Sequence, residues 1–117
     1  MKRPRKPARY AAMFSALGAE ARLAILRLLL SAHPRGMVVG ELQAELGIPG
    51  STLSHHLDKL KGQGLVTVRR DRQFLWYAAD TGTLRELLEF LYQECCSRNQ
   101  VVEPENFIQI SIKGKTQ

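Results

Sequence analysis

The chain is poor in what would make it a secreted, membrane or disulfide-built protein. Its two cysteines are adjacent, Cys95 and Cys96, and bridging sequence neighbours strains the backbone, so a structural disulfide is a poor reading of them. A reduced, available dithiol is the expected state. No apolar run approaches the roughly 20 residues that cross a bilayer, and no charged-then-apolar leader ends in a small-residue cleavage site. The expectation is a cytoplasmic protein without a membrane partner. Acidic residues are the minority: 11 Asp and Glu stand against 17 Lys and Arg, for a formal charge of +6. That balance favours a polyanionic partner, nucleic acid before membrane. Histidine is scarce as well, with only His33, His55 and His56. His33 sits alone in a loop and is expected in solvent. Ser54 with His55 or His56 superficially suggests hydrolysis, but neighbours on one helix point in different directions and no glycine-rich oxyanion turn accompanies them. An enzyme is therefore not expected.

What the sequence does have is the stretch from Ser51 to Lys61, which ends in Gly62-Gln63-Gly64. Leu53, Leu57 and Leu60 recur at helical spacing and give one apolar stripe to bury. The opposite face carries Ser51, Thr52, Ser54 and His55, short groups that donate and accept hydrogen bonds, with Lys59 and Lys61 a turn later. Small hydrogen-bonding groups near a helix N-terminus and cations further along suit a DNA major groove, where base edges lie between two phosphate rails. The plainer alternative is a solvated helix whose serines and threonine cap its start.

The flanking chain favours the first reading. Residues 1–7 form a basic arm, Lys2, Arg3, Arg5 and Lys6 interleaved with Pro4 and Pro7, which has no means of folding alone. One helix is expected from Ala8 to Leu17, with Tyr10, Met13, Phe14 and Leu17 apolar, and Gly18 closing it. A second, Ala19 to Ser31, is apolar nearly all round through Leu23, Ile25, Leu26, Leu28, Leu29 and Leu30, and marks the core. The break at His33-Pro34-Arg35-Gly36 leads to a short helix from Val38 to Leu46, with Val39, Leu42 and Leu46 inward. Gly47-Ile48-Pro49-Gly50 then turns into the candidate reading helix, a helix-turn-helix arrangement. Leu65 to Arg69 and Phe74 to Ala78 read as two strands. Between them Arg70-Asp71-Arg72-Gln73 makes a cationic tip, which a wing on a phosphate backbone or in a minor groove would need, although it would also serve as a solubilising turn. The last helix, Thr81 to Ser97, places Leu84, Leu87, Leu88, Leu91 and Cys95 on one stripe suited to a second copy of the chain. Residues 98–117 form a tail in which Phe107, Ile108, Ile110 and Ile112 partly alternate with polar residues.

The expected fold is mainly α with a small β-hairpin. Residues 8–97 make one winged helix-turn-helix domain, four helices, two strands and a final helix in order, with dimerisation helices at both ends. Through Phe14 to Leu30, Ser51 to Val66 and the closing Trp76-Tyr77, this domain resembles the winged-helix repressors of the ArsR/SmtB (arsenic-repressor) family. The resemblance implies a homodimer on a pseudo-palindromic operator that dissociates when an inducer binds. It implies DNA contacts at Ser51, Ser54 and His55, with His56 packed behind them; Thr52, Lys59, Arg70 and Arg72 complete the expected interface.

The resemblance also bears on the inducer. One arsenic site of the family, a Cys-Val-Cys, aligns here with Val38, Val39 and Gly40 and is absent. A zinc site of Asp, His and Glu on the last helix is missing too, since no histidine follows His56. Glu94-Cys95-Cys96 resembles a third arrangement, from arsenite-responsive relatives, in which a vicinal Cys pair is joined by another cysteine. Here the stretch to Glu103 supplies none. Thiolates are soft donors for thiophilic trivalent arsenic. Arsenite is best held by three sulfurs, whereas a methylated or aryl arsenical needs two. Trivalent arsenic, as arsenite or an organoarsenical, is the expected inducer at Cys95 and Cys96. No cofactor is permanently bound, and Zn(II) or Cd(II) could compete. Adjacent cysteines in a regular helix point about 100° apart, so chelation needs a frayed or unwound helix end. The alternatives are a thiol redox switch at the same residues, Cys95 as a small hydrophobe in the interface, and a winged helix that binds protein instead of DNA.

Overall fold

The computed structural model describes residues 6–98; the basic arm before Lys6 and the tail after Arg98 lie outside the described residues. The elements are α1 (Pro7–Leu17), α2 (Glu20–Ser31), β1 (Met37–Val38), α3 (Val39–Leu46), α4 (Gly50–Gly62), β2 (Val66–Asp71), β3 (Phe74–Ala79) and α5 (Thr81–Tyr92). Helix α1 starts with Pro7 in its first turn, where the missing N–H costs no intrahelical bond. Helix α3 turns into α4 through Gly47 at φ 66°, the left-handed conformation that commonly ends a helix.

Apolar spacing decides which faces are covered. Tyr10, Met13 and Ala16 of α1 are buried together with Ile25, Leu26 and Leu29 of α2, Leu42 of α3, and Leu53, Leu57 and Leu60 of α4. Helix α2 packs on α1, α3, α4 and β3, which explains why it carries so much aliphatic surface. It is not buried all round, however: Leu23 is 47% exposed, and Phe14 of α1 is 40% exposed. Val39 and Leu46, expected inward, are half-buried.

The sheet has three strands where two were expected. Its order is β1-β3-β2, with Met37 opposite Tyr77 and Val38 opposite Trp76 in the antiparallel β1–β3 pair. Two residues are too few to show an alternating pattern, so β1 carries no sequence signal of its own. The β2–β3 hairpin pairs Val66 with Ala79 through Asp71 with Phe74, leaving Arg72-Gln73 as a two-residue turn. Arg70 and Asp71 therefore belong to the strand and not to a four-residue loop. The chain falls into two compact units, up to Leu84 and from Arg85 onward. In the second, Leu87 is buried while Leu88 and Leu91 are exposed. Among the described residues no helix is long and apolar enough to cross a membrane.

Gly36 sets the strand that precedes the helix-turn-helix. Its φ is +85°, and a Cβ there would run into the Tyr77 carbonyl group, whose carbon would lie 2.8 Å away. Both the dihedral and the close approach to β3 require glycine. Gly36→Ala should lower folding stability by at least ~2 kcal/mol, read as a shifted urea midpoint with an unchanged slope.

Candidate nucleic-acid interface and thiol pair

Helix α4 is amphipathic in an unusual way. Leu53, Leu57 and Leu60 have no exposed surface, while Ser51, Thr52, Ser54, His55 and Lys59 are all exposed. The hydroxyls near the N-terminus are not caps, because the N-cap position is Pro49 and no side chain caps the helix. The capping alternative is thus not what these residues do. Lys59 and Lys61 stand in the last turn, where cations favourably meet the negative end of the helix dipole. Behind the face, His56 is half-buried. Its Nδ1 lies 3.2 Å from Nη1 of Arg22. Desolvation first, then the Arg22 charge and His55, hold His56 below the ordinary imidazole value of 6.5.

The hairpin presents Arg70 and Arg72 to solvent. Arg72 has φ 61°, and its carbonyl accepts from Nη1 of Arg70 at 3.5 Å. An L-residue in this region is strained by about 1 kcal/mol, so the turn holds a cation where glycine would fit better. Further from the tip, the Arg35 guanidinium lies 4.5 Å from the centre of the Trp76 ring and that of Arg69 lies 5.6 Å from it. Nη2 of Arg69 also donates to the Arg35 carbonyl at 3.4 Å. Cation–π contacts of this kind steady a hairpin against the chain beside it.

The thiols are not on a helix. Helix α5 stops at Tyr92, five residues short of the expected Ser97, and tight turns follow: the Cys95 N–H donates to the Tyr92 carbonyl at 2.7 Å and that of Ser97 to Glu94 at 3.3 Å. Cysteine and serine are poor helix formers. Cys96 takes φ 63°, and this left-handed residue swings its side chain toward its neighbour. The two Sγ atoms are 3.3 Å apart, both on half-buried, unbridged cysteines. Hydrogen bonding to Cys96 is the first cause, ahead of burial, that pushes the Cys95 thiol above its ordinary pKa. Among the described residues no three His, Cys, Asp or Glu side chains form a metal-binding group.

Residues 17–69, from the end of α1 into β2, match the helix-turn-helix domain family. The transcriptional activator HlyU of Vibrio cholerae is 34% identical over 88 residues, 75% of this chain and 79% of that protein. The putative arsenical resistance operon repressor ArsR2 of Halobacterium salinarum is 35% identical over 79 residues, covering 68% of this chain and 65% of that protein. The chain belongs to the ArsR family. It is accordingly a DNA-binding transcriptional regulator with a winged helix-turn-helix fold. Structures agree: reduced HlyU from V. cholerae superposes with a TM-score of 0.58 at 36% identity, covering 73% of this chain and 90% of that one. An ArsR-like regulator from Rhodococcus sp. RHA1 gives 0.66 at 22% identity with 94% of each chain covered, a likeness of fold alone.

Within this ArsR-family chain, His56 lies behind the exposed face as expected, and what the sequence left unread is the pairing of distant partners. Arg22 and His56 are 34 residues apart, as are Arg35 and Arg69, and no local pattern links either pair. The thiol geometry makes a direct prediction. Only thiolate is alkylated readily, so iodoacetamide at pH 8 should modify Cys95 more slowly in the folded protein than in the urea-unfolded chain, as read by mass spectrometry. Equal rates would contradict the contact between the two sulfurs.

Proposed function

We propose that the protein is a homodimeric repressor that leaves its operator when a trivalent arsenical bridges Cys95 and Cys96. The observation that carries the sensing half is the 3.3 Å contact between the two sulfurs, made possible because the chain there is turn and not helix. The reaction is a ligand exchange: methylarsonous acid, CH3As(OH)2, with two thiols gives CH3As(SR)2 and two waters. Arsenic stays trivalent, and each thiol proton leaves on a hydroxide ligand. Arsenite bound the same way would keep one hydroxide, needing a third thiol from the partner subunit or a small molecule. An organoarsenical is therefore the better match.

The DNA half rests on the exposed face of α4. Ser51, Thr52, Ser54 and His55 read base edges in the major groove, Lys59 contacts the backbone, and Arg70 and Arg72 at the wing tip meet phosphate. A second copy covers Leu88 and Leu91, which are 47% and 59% exposed. Two-fold symmetry then sets two half-sites about 34 Å apart on a pseudo-palindrome.

One titration tests both halves. A labelled duplex from upstream of the protein's own gene is followed by fluorescence anisotropy with reduced protein, then challenged with methylarsonous acid, arsenite, Zn(II), Cd(II) and peroxide. Methylarsonous acid should release the duplex at a lower concentration than arsenite, and Cys95→Ser or Cys96→Ser should abolish release. Release by peroxide alone would make the pair a redox switch and sink the arsenical reading.

On the DNA side, Arg72→Gly should reduce the salt slope of log K by about 0.9, the value for one phosphate contact. Ser54→Ala with His55→Ala should flatten sequence preference. Equal, weak binding of wild type to every duplex would favour a protein-binding winged helix.

A further inference from the structure

Arg22 of α2 touches both α1 and the rear of α4. Its Nε donates to the Ala16 carbonyl, one of the last carbonyls of α1, which lack helical partners and attract cations. Its Nη1 meets Nδ1 of His56. A guanidinium nitrogen only donates, so Nδ1 must accept, which fixes His56 as the neutral imidazole with its proton on Nε2. We propose that Arg22 is a positioning residue for the reading helix, docking α4 on α1 through neutral His56, so that operator binding weakens when His56 takes up a proton. This rests on the reading of α4 as the DNA-contacting helix.

Protonation at Nδ1 replaces the acceptor with a donor facing a donor, and adds a positive charge beside Arg22. Besides Arg22, the charge that acts on His56 is His55, and Asp58 near it faces Tyr77 of β3. His55 is next in the chain, its ring centre 6.1 Å from that of His56, and Asp58 and Lys59 line the same open groove as Arg22. On α1, that groove is lined by Ala12, Ser15 and Ala16, none of which titrates. Whatever His55 contributes to DNA binding is common to wild type and a His56 variant and cancels in their ratio.

The test uses the full chain, a duplex selected by the wild-type protein from a random pool, and two variants whose fold is checked by circular dichroism. Asparagine places Oδ1 where Nδ1 stands and does not titrate, so His56→Asn keeps the acceptor. The ratio of wild-type to His56→Asn affinity, which cancels His55, should hold steady above pH 6.5 and fall as pH drops below it. Arg22→Met should weaken binding about tenfold at pH 7.5, the order of one charge-assisted hydrogen bond, with the salt slope unchanged. Without DNA, the neutral form favoured in the fold means that the unfolded chain takes up more protons below pH 6.5. Wild type should therefore lose thermal stability on the acid side faster than His56→Asn. A constant ratio, or a salt slope reduced by Arg22→Met as for a phosphate contact, overturns the inference. Should wild type select no duplex at all, the DNA reading fails, and the inference with it.

Discussion

Everything that faces outward on α4 depends on how Leu53, Leu57 and Leu60 are buried. A helix has one rotational setting about its axis in a given core, and three leucines at 0% exposure fix that setting as firmly as packing can. Turning α4 by a residue would expose aliphatic surface at about 25 cal/mol per Å² and bury hydroxyls. The polar face is thus held in place by what lies behind it. Arg22 adds a directional restraint, because burial is non-directional whereas a hydrogen bond constrains where its partners sit.

The wing follows from the same packing. Gly36 lets the chain pass close to Tyr77, β1 joins β3, and the hairpin is anchored beside the helix-turn-helix instead of projecting freely. Trp76 then holds Arg35 and Arg69 against it. At the tip, Arg72 keeps its charge in a conformation that favours glycine. That conformation is what a two-residue hairpin turn demands, so the charge is kept at a backbone cost of about 1 kcal/mol.

The legible parts of this protein were those written in local spacing. The stripes of α1, α2 and α4, the turn at Gly47 and the β-rich runs of the hairpin each identify an element from its own residues, and the ArsR resemblance lies in that same stretch. Strand β1 has no such signature, because two residues have no period. The end of α5 was overrun because Cys95 continues the apolar stripe of Leu84, Leu87, Leu88 and Leu91. Stripe position says what a helix could bury, and not whether the backbone remains helical through Cys and Ser. Of the site, the exposed groups of α4 and the thiols were visible by residue type. Their settings were not, since the Arg22–His56 bond joins residues 34 apart and the left-handed Cys96 follows no spacing pattern.

That left-handed residue bears on how a bound arsenical could act at all. A ligand moves a conformational equilibrium only by its difference in affinity between two states. Driving a repressor from 99% DNA-competent to 99% incompetent takes a difference of about 10⁴-fold, or ~5.5 kcal/mol. If Cys95 and Cys96 converge equally in both states, even very tight chelation shifts nothing. Convergence requires the helix to have ended, since on a continuous helix the two side chains diverge by about 100°. A state in which α5 runs on through Cys96 would bind one sulfur at a time, and a state with the turn at Cys95-Cys96 binds two. If the proposed sensing holds and such a helical state exists, a difference of one arsenic–sulfur bond between the two states would be the source of the coupling.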